Sequence, residues 1–223
     1  MTDLSQGPTA TALRSGLQRP AWISHKVNQI AVLVRDSSRS MAGQKARDAS
    51  AATQAFIDEL ASPVNKDGFE VAIVDFTDTS HCVVELTKVG GMAGQVPPVR
   101  IRRGWTNITS GLEGASKLLQ EAQSKQLEGI SFLRPVVLCY TDGRHNTGAR
   151  PHDVAEKLKH LADLVTVAFG PDADLGLMRE LASTPQHCYR CDNGRELRAF
   201  LATVGTTLTQ ALASRASATK ALT

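Results

Sequence analysis

Three short segments of the sequence carry side chains that are hard oxygen ligands: Asp36-Ser37-Ser38-Arg39-Ser40, Gly104-Trp105-Thr106-Asn107 and Tyr140-Thr141-Asp142-Gly143. The D-x-S-x-S positions of the first, Asp36, Ser38 and Ser40, set one carboxylate and two hydroxyls on a single tight turn, which suits a small divalent cation better than a nucleophile or a nucleotide phosphate. The other two supply a third hydroxyl and a second carboxylate. Each segment alone has an ordinary explanation. A D-x-S-x-S cluster ahead of a helix can be no more than an N-cap, and a Thr-Asp-Gly turn is commonplace. Their combination is more specific, because Mg2+ takes six oxygens at about 2.0–2.1 Å and keeps waters where it can. Three hydroxyls and two carboxylates leave part of such a shell open, and a Glu or Asp from another protein could complete it.

These residues need strands to present them. Ile30-Ala31-Val32-Leu33-Val34 is an apolar run, within a strand predicted at 28–35, that ends at Asp36. Pro135 to Tyr140 is a second continuous apolar run, of the kind a parallel strand needs when both its faces are covered. Apolar residues at Ala46, Ala49, Ala52, Phe56, Ile57 and Leu60 recur at close to 3.6 residues and predict a helix over 41–61, with Ser40 placed to cap it. Phe69–Phe76 and His81–Leu86, joined by Thr77-Asp78-Thr79-Ser80, read as an antiparallel hairpin at a sheet edge.

Gly90, Gly91, Gly94, Pro97, Pro98 and Gly104 make 87–105 the longest irregular connection, and long ordered loops are often functional. Helices over 107–126, 151–161, 174–182 and 194–212 alternate with strands at 164–169 and 187–190. The expectation is an α/β fold: Rossmann-like, doubly wound, with a mostly parallel central sheet, one antiparallel edge hairpin and helices on both faces. In such sheets ligands bind outside the carboxyl ends of the strands, where Asp36 and Asp142 stand.

With these motifs in this order, roughly residues 25–214 resemble a von Willebrand factor A (vWA) domain with a metal-ion-dependent adhesion site. Matched residue by residue, the resemblance implies that Asp36, Ser38, Ser40, Thr106 and Asp142 hold the metal: Mg2+, with Mn2+ or Ca2+ as alternatives. It also implies a non-enzymatic module that binds a partner's Glu or Asp through the ion. Residues 1–24 are then an N-terminal extension, 25–214 the domain and 215–223 a tail. By size and general pattern the chain resembles the bacterial TerY-like group, associated with tellurite resistance and stress signalling alongside kinases and phosphatases.

The chain departs from that family at two positions. Arg39 stands where relatives usually carry Gly, and Arg35 precedes Asp36 at a position usually apolar. A guanidinium about 4 Å from the ion would oppose it by roughly 1 kcal/mol in bulk water. Alternatively Arg35, Arg39 and Arg144 form a positive rim that steers an acidic partner. Trp105 and His145 are further candidates for the partner-binding rim.

Composition sets the remaining bounds. With 223 residues, 42% of them apolar, the chain can bury one full core. A net charge of +3 and 4% aromatic residues give neither a basic stripe nor stacking platforms for nucleic acid. No apolar run is long enough to cross a bilayer, and the first residues lack a signal-peptide pattern, so a cytoplasmic protein without membrane insertion is expected. Cys82 and Cys139 read as small core residues, and Cys188 and Cys191 as two ordinary cysteines rather than half a zinc site. Two rival functions stay open: a Mg2+-dependent phosphoryl-transfer enzyme, and a scaffold whose metal site has degenerated. The first lacks both a phosphate loop and a second acid two residues after Asp36, where Ser38 stands.

Overall fold

The computed structural model describes residues 26–65, 67–124 and 130–215. The expected extension over 1–24 and nearly all of the expected tail lie outside them. Seven strands and five helices follow in chain order: β1 (Lys26–Asp36), α1 (Gln44–Leu60), β2 (Phe69–Phe76), β3 (Ser80–Lys88), α2 (Ile108–Ser124), β4 (Ile130–Phe132), β5 (Val136–Thr141), α3 (His152–Leu161), β6 (Asp163–Phe169), α4 (Leu175–Leu181), β7 (Cys188–Cys191) and α5 (Gly194–Ser214).

The sheet runs β3-β2-β1-β5-β6-β7, and the short β4 also pairs with the start of β1. Among the described residues only β2 and β3 pair antiparallel; the other pairings are parallel. This is the doubly wound architecture with one antiparallel edge hairpin that the alternation predicts.

Alternation along the strands divides the interior into two layers. Ala31, Leu33, Val71, Ile73, Val136 and Leu138 pack with Phe56, Leu60, Leu201 and Leu208 of α1 and α5. Val32, Val34, Ala72, Val74, Val137 and Cys139 pack on the other face with Leu112, Leu119, Leu158 and Met178 of α2, α3 and α4. Successive strand residues point to opposite faces, so strands covered on both sides need nearly unbroken apolar sequences. Both β1 and β5 have them.

The same parity settles the cysteines at the sheet's far edge. Cys188 and Cys191 are three residues apart on β7 and fall in opposite layers, so they do not meet. All four cysteines are free. Cys139 is buried as expected, but Cys82 is exposed, which corrects its reading as a core residue. It lies on β3, an edge strand whose residues are at most half-buried.

Ser40 does not cap α1. A 3-10 turn over Arg39–Met41 intervenes and Gly43 is the N-cap residue. That releases the Ser40 hydroxyl for another partner.

Candidate metal centre

β1, β5 and the long loop before α2 bring the three oxygen-rich segments to one end of the sheet. There Asp36, Ser38, Ser40, Thr106 and Asp142 form one continuous hydrogen-bonded cluster. Ser40 Oγ donates to Asp142 Oδ1 at 2.7 Å. The Ser38 and Ser40 hydroxyls are 3.0 Å apart, and Thr106 Oγ1 donates to Ser38 Oγ at 3.2 Å. Asp36 Oδ1 accepts the Ser38 amide at 2.8 Å, and Asp36 Oδ2 accepts the Thr141 hydroxyl. Gly143 allows the segments to close in, since a Cβ there would stand 2.8 Å from Thr106 Oγ1.

Each segment is anchored by its backbone. The Ser37 amide donates to Phe76 O at the end of β2, and Ser37 O accepts the Arg102 amide. Thr106 is tied to the third segment twice: its amide donates to Asn146 Oδ1, and its carbonyl accepts the Asn146 amide. Asn107 Oδ1 accepts the Ser110 amide in the first turn of α2, so the loop's end is fixed by the helix it starts.

Asp36 and Asp142 are 0% and 1% exposed. Burial pushes the Asp36 carboxyl up to about 6, and the nearby Asp142 charge adds to that, against the opposing hydrogen bonds from Thr141 and Ser38. Two buried carboxylates this close call for a positive charge between or beside them. The structure puts one there: Lys45 Nζ lies 2.5 Å from Asp142 Oδ2. Among the described residues no group of three His, Cys, Asp or Glu side chains suits a metal, so a cation at this site would depend on hydroxyl ligands. The donor set, all oxygen with two carboxylates and three hydroxyls, fits a small hard divalent ion.

Two members of the cluster were not singled out from sequence. Thr141 orients Asp36 and also accepts the Gly143 amide at 3.1 Å. Lys45 stands in the first turn of α1, where the positive end of the helix dipole disfavours a cation. That local conflict is the signal that could have marked it.

The expected rim divides. Arg39, Trp105 and Arg144 are exposed. His145 is half-buried, its Nδ1 accepting the Ile108 amide at the start of α2, and burial lowers its pKa. Arg35 does not belong to a rim and does not face a cation: it is 0% exposed. Its guanidinium makes a two-pronged bond to Asp75, at 2.6 and 3.1 Å, and its Nη1 donates to Pro97 O at 3.0 Å. Residues 35 and 36 point to opposite faces of β1, which sends Arg35 away from the cluster.

A sequence model of the von Willebrand factor type A domain matches residues 31–203. The chain belongs to the von Willebrand factor type A domain family. Among curated proteins, this vWA chain is 29% identical over 167 residues to inter-alpha-trypsin inhibitor heavy chain H6 of Homo sapiens; the match spans 68% of the chain and 12% of that protein.

Among solved structures it superposes on proximal thread matrix protein 1 from the mussel byssus with a TM-score of 0.65 and 20% identity, covering 85% of this chain and 49% of that one. A further structure of the mussel protein has zinc in its MIDAS motif (TM-score 0.60, 20% identity, covering 83% of this chain and 46% of that one). A von Willebrand factor type A protein from Catenulispora acidiphila gives a TM-score of 0.63 at 18% identity, covering 83% and 43%. This vWA chain thus spans about half or less of the length of these relatives. vWA domains are generally interaction or adhesion modules rather than enzymes.

Proposed function

We propose that this vWA domain is a non-enzymatic, metal-dependent protein-binding module. Asp36, Ser38, Ser40, Thr106 and Asp142 would hold a divalent cation, and a partner protein would present a Glu or Asp to it. A bound cation would supply an open coordination position for a carboxylate oxygen. The residues of the chain do the rest: Thr141 and the Ser38 amide hold Asp36, Ser40 holds Asp142, and the long loop delivers Thr106.

The observation that carries this reading is the convergence of five oxygen-bearing side chains, two of them buried carboxylates, from three segments far apart in sequence. Mg2+ is the first candidate, with Mn2+ and Ca2+ behind it. The zinc-bearing mussel relative adds zinc to the ions to be tried. Four free cysteines agree with a reducing, cytoplasmic setting. A narrower role, beside kinases and phosphatases in tellurite-resistance or stress signalling, is supported by resemblance in size and pattern alone.

The test is calorimetric titration of metal-stripped protein with Mg2+, Mn2+ and Zn2+, with Asp36→Ala as control. Binding that disappears in the variant supports the proposal; equal binding by both proteins overturns it. One observation favours a second reading, a scaffold that works without metal: Lys45 already places a cation against Asp142. The same titration decides between them, since the second reading expects no binding by the wild-type protein.

A further inference from the structure

The long loop reaches the cluster through Arg100-Ile101-Arg102-Arg103-Gly104-Trp105, directly before Thr106. Its backbone is held by three hydrogen bonds, one just past the end of β1 and two to the β2–β3 turn. The Arg102 amide bonds to Ser37 O, the Trp105 amide to Asp78 Oδ1 at 2.7 Å, and the Asn107 amide to Thr77 O. At Gly104 the loop runs so close to the hairpin that a Cβ would stand 2.7 Å from Asp78 Oδ2. The side chains, by contrast, are free. Arg102 and Arg103 are exposed and, like Arg39, make no side-chain hydrogen bond or ion pair with the described residues.

Three large hydrophobic side chains are exposed among the described residues, and two of them, Ile101 at 37% and Trp105 at 66%, stand on this loop. Arg39, Ile101, Arg102, Arg103 and Trp105 line one depression of 910 Å³ that Ser38, Ser40 and Thr106 also line. A fixed backbone that displays unpaired cations and an uncovered indole beside a carboxylate-seeking site has the make-up of a recognition surface.

We infer that this loop reads the partner: it binds an acidic segment of another protein that carries a large apolar residue next to the aspartate or glutamate seated at the cluster. The inference rests on the proposed binding role of the cluster. Charge complementarity selects the occupant. Arg102 and Arg103 pair with acidic residues flanking the seated one, within a Debye length of roughly 8 Å at physiological salt. Trp105 and Ile101 cover the apolar neighbour. Opposed guanidinium groups repel basic partners, which adds specificity.

The test is fluorescence anisotropy with a labelled peptide of glutamates around one central leucine–aspartate pair, in Mg2+, on the full chain. Arg102→Glu/Arg103→Glu should weaken binding roughly tenfold at low salt and flatten its salt dependence. Trp105→Ala should weaken it about tenfold or more, but only a few-fold for a peptide with serine in place of leucine. Both sites are exposed, and Mg2+ titration of each variant reports an intact cluster. Peptide binding that needs Asp36 and Mg2+ but ignores both loop variants overturns the inference and leaves the metal reading standing. Binding that needs the loop but survives Asp36→Ala and chelation keeps the surface and removes the metal reading. Failure of the wild-type protein to bind the peptide while it binds Mg2+ overturns the inference.

Discussion

Two cation–carboxylate pairs sit near the same end of the sheet, and they differ in every respect that matters. Arg35 and Asp75 are side-chain 0% and 4% exposed, joined by two hydrogen bonds, and Arg35 spends a third on Pro97 O. Lys45 and Asp142 are 33% and 0% exposed, joined by one bond, and Asp142 shares itself with Ser40. In the first pair the guanidinium's fork satisfies both charges and leaves no position for anything else. In the second, a mobile point charge on a flexible stem touches one oxygen of a carboxylate that a metal could also use. The first pair locks the loop to the strands; the second is where the proposed metal would have to displace or join a lysine.

The comparison breaks most visibly at the closed pair. Arg35→Met strands the Asp75 carboxylate in the interior and should cost about 3–5 kcal/mol. In a domain of this size that corresponds to a fall of about 6–20 °C in the unfolding temperature. Arg35→Met with Asp75→Leu should recover most of the loss, because the unpaired charge is gone. Thermal denaturation of the two variants decides it. Equal losses would mean that the tether to Pro97, rather than the charge pair, holds this corner together.

The contrast between the pairs also shows which parts of the molecule the sequence discloses. The layered α/β fold was legible because β1 and β5 are covered on both faces and their apolar runs say so. The oxygen-bearing side chains proposed as ligands were legible because their types, and for Asp36 and Asp142 their places just at or after strand ends, are local properties. The roles of Arg35, Lys45 and Thr141 were not, because each depends on a residue far away in the chain. Asp75 is 40 positions from Arg35, Asp142 is 97 from Lys45, and Asp36 is 105 from Thr141. Ser40 had the composition of a helix cap, and its distant bond to Asp142 overrode that local preference. The three-residue β4 is too short to show a period, and Cys82 misleads because its β-rich run lies at a sheet edge.

The open pair belongs to a site whose proton and metal should compete. In metal-free protein the Asp36 carboxyl is raised to about 6, above its ordinary 3.8. A group raised on folding stabilises fully below the ordinary value and loses that contribution as pH climbs through about 6. Acidifying metal-free protein from pH 7 to 4 should therefore add stability on the order of 2 kcal/mol from this group. Metal needs the ionised carboxylate, so its affinity should run the other way. Between pH 7 and pH 5 apparent Mg2+ affinity should fall about tenfold, with a proton released on binding near pH 5.5. Calorimetry in buffers of different ionisation heat measures that proton. A pH-independent affinity would show that Asp36 takes no part.

The smallest effect is the sharpest test of what separates the two pairs. If Lys45 holds the place of an exchangeable ion, Lys45→Met removes a competitor, keeps the side chain's length and relieves an unfavourable charge at the start of α1. A partly exposed ion pair is worth at most about 1 kcal/mol, so Mg2+ affinity should rise about fivefold, less at high salt. The unfolding temperature of metal-free protein should move little, since loss of the pair and relief of the helix end oppose each other. A lower Mg2+ affinity in the variant would instead make Lys45 a support for Asp142, a closed pair like Arg35 and Asp75 on a more exposed site. Metal binding that appears only in Lys45→Met would mean that the lysine permanently fills the cation position in the wild-type chain, and that the domain binds its partner without a metal.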